Sequence, residues 1–201
     1  MSIVIRDVRE HELDSVLALN NAAGPTILPM DAAKARYFYE QATYFRVAEV
    51  DGHLAGFLIA FDEGSAYQSS NFLWFRERMP AFVYIDRVVV ASSRRGAGLG
   101  RVFYADVQSF AEVRAPQLAC EVFLEPRNDV AVLFHGTYGF HEVGQKLMPE
   151  TGLRVSLLGK ELSSFPWVQQ TYLVDGGCLP DEPWLRARAR ASDTPQRATG
   201  T

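Results

Sequence analysis

The stretch VYIDRVVVASSRRGAGLGR, Val83 to Arg101, passes from a β-rich run through a basic, glycine-bearing turn into a helical pattern. That layout suits a polyphosphate. Gly96, Gly98 and Gly100 remove Cβ atoms at alternate positions, so the backbone can come close to an anion while the first-turn amides of the next helix stay free to donate. Arg94, Arg95 and Arg101 add positive charge at the same place. The lysine and hydroxyl that end a P-loop are missing, and the spacing G-x-G-x-G fits the dinucleotide fingerprint G-x-G-x-x-G poorly, after about three earlier strand candidates.

Outward from this segment the chain reads as an α/β order. Ile3 to Arg6 alternates as a strand, Glu10 to Asn20 carries Leu13, Val16 and Leu17 on one helical face, and Gly24-Pro25 ends it. Asp31 is placed to cap a helix running to Ala42. Tyr44–Val50 and Leu54–Phe61 flank Asp51-Gly52, a hairpin signal. Gly64 to Pro80 has no clean period. Phe82 to Val90 reads as a strand, Leu99 to Val113 as a helix, Leu118 to Leu124 as a strand and Asp129 to Tyr138 as a helix. Phe140–Leu147 with Leu153–Leu158 reads as a last hairpin.

At 201 residues, 48% hydrophobic and 12% aromatic, the chain can bury a sizeable core. A net charge of −4 speaks against a nucleic-acid surface. The N-terminus lacks the pattern of a signal peptide and no apolar run approaches a membrane span, so a cytoplasmic location and no membrane partner are expected. Cys120 and Cys178 have no metal or C-x-x-C spacing and read as free thiols; His11, His53, His135 and His141 are scattered, so no metal is expected.

Arg95, Gly98 and Gly100 fill the pattern R-x-x-G-x-G behind a strand, which resembles the pyrophosphate-binding motif of the GNAT superfamily of acyl-CoA-dependent N-acyltransferases. NDVAVLFHGTYGF, Asn128 to Phe140, is similar to that family's N-x-x-A-x-x-x-Y-x-x-x-G-F segment, with Asn128, Ala131, Gly139 and Phe140 in register and His135 where many members carry tyrosine. The resemblance spans about residues 3 to 161. It implies a GNAT fold: one mixed, mostly antiparallel sheet of six to seven strands flanked by about four helices. It also implies a domain over 1–161 and a C-terminal extension over 162–201, whose last dozen residues are low in bulky apolar side chains and expected to be disordered.

The same resemblance implies acetyl-CoA as co-substrate, held by the backbone of Val88, Val89 and Val90, by the loop Arg95, Gly96, Ala97, Gly98, Leu99, Gly100 and Arg101, and by Asn128 and His135. Asn128 is equally suited to capping a helix. An amine attacking a thioester needs a route for its proton and an acid for the departing thiolate. Strand alternation puts Asp86 with Tyr84, Val88 and Val90, and Arg87 on the opposite face, out of easy reach. A lone aspartate among β-branched residues is costly to bury unpaired. Asp86 is therefore the first candidate for the base, with binding of the acceptor's ammonium or pairing with another basic residue as the plainer alternative. Other members put the base where this chain has Phe123; Glu121 and Glu125 share that strand face. His135, with an ordinary pKa of about 6.5, is the candidate acid, with Tyr138 one helical turn on as a fallback.

The expected activity is transfer of acetyl to a primary amine by direct attack on the thioester, the acceptor being a small molecule or a peptide N-terminus. Tyr37, Phe38, Tyr39, Tyr67, Phe72, Trp74 and Phe75 suggest an aromatic acceptor wall, though core packing explains most of them. Tyr172, Leu173 and Val174 are suited to packing back on the domain or across a homodimer. An inactive acyl-CoA sensor or an interaction module is the alternative reading.

Overall fold

The computed structural model describes residues 2–25, 27–125, 127–183 and 185; the tail expected to be disordered falls outside them. Seven strands form one sheet: β1 (Ile3–Asp7), β2 (Tyr44–Val50), β3 (His53–Asp62), β4 (Val83–Val90), β5 (Gln117–Phe123), β6 (His141–Leu147) and β7 (Arg154–Glu161). Their spatial order is β1-β2-β3-β4-β5-β7-β6, and β4 with β5 is the one parallel pair. Asp51 and Gly52 both take positive φ, 49° and 80°, the geometry that joins β2 to β3 in a two-residue hairpin.

Helices cover both faces. On one, α1 (Leu13–Asn21) and α2 (Ala32–Gln41) bury Val16 and Phe38 against Phe45, Phe57 and Tyr84. Asp31 caps α2 by accepting from the Lys34 amide at 2.7 Å. On the other, α4 (Leu99–Ala111) buries Phe103, Val107 and Phe110 against Leu58, Val83 and Leu118. Helix α5 (Asp129–Thr137) contributes Ala131 and Phe134 there. After β7 the short α6 (Phe165–Val168) and the turn behind it lay Phe165 and Leu173 on this face, while Val174 and Trp167 are exposed. Cys120 is buried, Cys178 is exposed, and both are free. Among the described residues no helix is long and apolar enough to cross a membrane.

The irregular stretch Gly64 to Pro80 contains a helix that its sequence hides, α3 (Ser70–Arg76). Four consecutive bulky apolar residues, Phe72 to Phe75, blur the helical period. Its start was nevertheless marked: Ser69 caps it, accepting from the Phe72 amide at 3.1 Å. The helix is fastened to the β6–β7 hairpin. Ser70 donates through its amide and hydroxyl to Glu150 at 3.3 and 3.1 Å, and Lys146 Nζ donates to the Ser70 carbonyl at 2.5 Å. Trp74 lies flat against β6 where only glycine leaves room, since a Cβ on Gly144 would stand 2.8 Å from the indole.

Strand β4 carries the departure from regularity that makes the site. Against β3, Ile59 pairs with Arg87 and Ala60 with Ile85, so Asp86 is an extra, bulged residue. The bulge reverses the alternation beyond it. Tyr84 and Val89 now face the α1/α2 side, whereas Val88 and Val90 join Val83 and Ile85 on the α4 side. The expectation that Tyr84, Asp86, Val88 and Val90 share one face is therefore corrected. On its other edge β4 pairs with β5 only from Val83 to Ile85, after which the two strands part.

Gly144→Val should loosen the α3 strap and cost about 1 to 3 kcal/mol of stability, the usual range for overpacking. Urea unfolding measures it, and an unchanged midpoint would contradict the packing described.

Candidate active site

The turn after β4 is a short 3₁₀ segment, Ser92–Arg94, followed by Gly96 and Gly98 in the left-handed region at φ 80° and 84°. Gly98 is the N-cap of α4, and Val102 is the first residue whose amide bonds back, to the Gly98 carbonyl at 3.2 Å. The amides of Leu99, Gly100 and Arg101 thus have no helical acceptor. Those of Gly96 and Gly98 make no backbone bond among the described residues either. Ala97 differs, its amide being turned inward to the Arg94 carbonyl at 3.4 Å. A Cβ on Gly96 or Gly98 would meet nothing within 4 Å, so the space above the loop is open. Five amides without a backbone acceptor at a helix's positive end, with Arg101 exposed beside them, fit a diphosphate.

The other expected binding residues divide by role. The Leu99 side chain is buried in the core. Arg95 ties the loop to the end of α1, its Nη2 donating to the Ala23 carbonyl at 3.0 Å and its Nε to Val90 at 3.4 Å. Asn128 caps α5, accepting from the Ala131 amide at 3.1 Å. Val88, Val89, Val90, Gly100, Asn128 and His135 all line one end of a cavity of about 1040 Å³ that continues between the parted strands to α2 and α3.

Asp86 sits in that cavity but is fully engaged. Its Oδ1 accepts from the Tyr67 hydroxyl and its Oδ2 from Arg87 Nε at 2.6 Å. The pair is enclosed, with side chains 6% and 9% exposed. Arg87 was expected on the opposite face; the bulge brings it round, and its Nη1 donates onward to Asn20 Oδ1 at 2.8 Å and the Leu28 carbonyl at 3.3 Å. Glu121 stands across the gap on β5, accepting from the Tyr84 hydroxyl at 2.6 Å. Desolvation and then the Asp86 charge push its carboxyl up to about 7, against the pull of Tyr84, Asn71 and Arg87. Glu125 lies outside the cavity, exposed beside Arg154.

His135 is 6% exposed and both ring nitrogens are engaged, Nδ1 with the Ala131 carbonyl at 2.7 Å and Nε2 with the Tyr104 hydroxyl at 2.5 Å. A carbonyl can only accept, so Nδ1 carries the proton and Nε2 accepts from Tyr104. Burial also pushes the imidazole below its ordinary pKa. A neutral ring has no proton to spare for a thiolate. Tyr104, on α4, lines the cavity and gives its one hydroxyl proton to His135, a link that the sequence did not disclose because the residue reads as one more member of the helix's apolar face; burial pushes its phenol above the ordinary range. Tyr138 is not among the lining residues. Of the aromatic side chains expected at the acceptor wall, Tyr37 and Tyr67 line the cavity; Phe38, Phe72 and Phe75 are core.

The model of the acetyltransferase (GNAT) family matches residues 13–140, well over half of the chain. The chain belongs to that family. No curated protein matched it significantly. Among solved structures, Ard1 from Thermoplasma volcanium aligns with a TM-score of 0.65 at 17% identity, over 81% of this GNAT chain and 99% of its own. The ribosomal-protein-alanine N-acetyltransferase of Brucella melitensis aligns with 0.60 at 23% identity, over 79% and 99%. Naa50 of Arabidopsis thaliana, solved with the bisubstrate analogue CoA-Ac-MVNAL, aligns with 0.61 at 17% identity, over 80% and 99%. At these identities the likeness is one of fold, and the seven-stranded sheet of this chain is a GNAT fold.

Because the folded state raises the Glu121 pKa, it binds that proton more tightly than the unfolded chain, so the stability this group contributes is present at low pH and lost as pH rises through about 7. Glu121→Gln should therefore gain about 2 to 3 kcal/mol relative to the native protein between pH 5 and pH 8. Chemical unfolding at the two values measures this, and an equal difference at both would show that the carboxyl is not held protonated.

Proposed function

We propose that the chain transfers acetyl from acetyl-CoA to a primary amine by direct attack on the thioester, residues 1–161 forming the catalytic domain and 162–201 an extension. The observation that carries this reading is the position of Glu121, a carboxyl that lines the cavity on β5 at the point where β4 leaves it and that burial pushes up to about 7. The amides of Gly96, Gly98, Leu99, Gly100 and Arg101 hold the diphosphate, and the open edge of β4 from Val88 to Val90 receives the pantetheine arm with main-chain groups. The amine nitrogen forms its bond to the acetyl carbon, the carbon–sulfur bond breaks, and Glu121 takes the amine's proton directly or through one water. The departing thiolate takes its proton from water, because the one hydroxyl proton of Tyr104 is held by His135 Nε2. Asp86, bonded on both oxygens, is assigned to shaping the field at Glu121 rather than to proton transfer. An amine acceptor is in keeping with relatives described as N-acetyltransferases.

The test joins calorimetric titration of acetyl-CoA with thiol release across an amine panel. Acetyl-CoA should bind, and at least one amine should release thiol. Gly98→Val should abolish binding, because a β-branched residue is strained at φ 84° and its side chain would fill the anion's approach. Glu121→Gln should keep acetyl-CoA affinity, lower kcat/KM by about 10² to 10³-fold and remove the rise of kcat/KM with pH around 7. Binding without turnover on any amine would instead support an acyl-CoA sensor, and absence of binding would overturn both readings.

A further inference from the structure

The cavity has a second charged pole. Lys34, on α2, lines it, and its ammonium stands 5.1, 4.7 and 4.8 Å from the ring centroids of Tyr37, Phe38 and Tyr67. Three rings fix that charge in place through their π-faces. Among the described residues it forms no ion pair. The guanidinium of Arg87 lies 4.9 Å from the same Phe38 ring, so two cations share one aromatic neighbour. Arg87 gives Nε to Asp86 and Nη1 to Asn20 and Leu28; Nη2 makes no hydrogen bond among the described residues. Asp86 is hydrogen-bonded to Arg87 and Tyr67 but not to Lys34, and the carboxylates of Asp31 and Glu150 that also line the cavity form no ion pair with Lys34 among the described residues. Desolvation pushes the Lys34 amine below its ordinary range and the nearby Arg87 adds to this, while Asp86 and Asp31 oppose it. A cation kept partly out of water with no hydrogen-bonded counter-ion can be matched by an anionic group of a ligand.

We propose that Lys34 and Arg87 form an anion subsite in the acceptor half of the cavity, so that the acceptor is an amine that also bears a carboxylate or phosphate. This rests on the acetyltransferase reading above and deepens it. Tyr67 touches the Lys34 and Asp86 pole, Tyr84 bonds Glu121, and their ring centroids are 6.4 Å apart. Amine and anion thus belong to one small molecule or one terminal residue, with the amine toward Glu121 and the anion toward α2.

The experiment compares, on the full chain, thiol release with phenylalanine against phenylalaninamide, glutamate against its diamide, and phosphoethanolamine against ethanolamine. The anionic member of a reactive pair should show kcat/KM about tenfold or more above its neutral partner, the worth of one charge-assisted hydrogen bond. The first two pairs report a carboxylate and the third a phosphate. Lys34→Met, which keeps the apolar stem, should reduce that ratio about tenfold, and Lys34→Arg should restore most of it. Neutral amines favoured by the native protein, or a ratio untouched in Lys34→Met, would overturn the proposal. A readout independent of turnover comes from the side-chain NMR resonances of Lys34 in protein saturated with CoA, titrated with acetate and with inorganic phosphate. A saturable shift supports the subsite even if every amine fails to react, which would count against the transfer reading alone; no shift with either anion overturns the subsite.

Discussion

One inserted residue in β4 sets the site. Had Asp86 been accommodated in register, β4 would continue beside β5 and close the gap with a ladder of hydrogen bonds. Instead the bulge turns the strand after Ile85, so the main chain from Arg87 to Val90 has a β3 partner on one side and none from β5 on the other. The cavity fills that gap, and Glu121 is the carboxyl that stands on its β5 wall. Opening a sheet thus yields free backbone donors and acceptors at a position where a substrate can use them. The elevated proton affinity of Glu121 comes first from its burial, and the bulged Asp86 adds its charge to it.

The bulge alone would leave an aspartate and an arginine unsupported. Tyr67, Asn20 and the Leu28 carbonyl add hydrogen bonds to them, drawing the loop before α3 and the end of α1 into one network. A buried ion pair adds little net stability when its desolvation is counted, so its contribution here is to position these elements. Helix α3 carries Asn71, whose amide nitrogen bonds Met148 Sδ at 3.2 Å and whose carbonyl oxygen is buried without a partner among the described residues. That residue also lowers the Glu121 pKa through a hydrogen bond, which puts the α3 strap in contact with the proposed base. The segment that reads as least regular in sequence therefore walls the acceptor half of the cavity.

Much of this was legible beforehand, for reasons that differ by element. The period-two and period-3.6 patterns gave all seven strands and four helices to within a few residues at most ends, because each buries a single face. Asp51-Gly52 and Gly98 were readable because only small or turn-forming residues tolerate positive φ. Helix α3 escaped because its apolar residues are consecutive, and only Ser69 signalled a start. The pairing of Asp86 with Arg87 was missed because alternation assumes an unbroken ladder, and nothing local in YIDRV announces a bulge. Tyr104 and Lys34 were invisible as site residues since their roles come from long-range neighbours, His135 for one and Phe38 with Tyr67 for the other. The glycine loop could be read directly, because its chemistry is that of the main chain and its spacing is contiguous.

The central claim is that main-chain amides of the Gly96–Arg101 turn and of the opened β4 edge hold coenzyme A. Amide-resolved NMR titration of the full chain with CoA tests it most directly. The account predicts large, saturable shifts for Gly96, Gly98, Leu99, Gly100 and Arg101 together with Val88 to Val90, and small ones for β1 and the β2–β3 turn. Binding of CoA with those amides unmoved would contradict it.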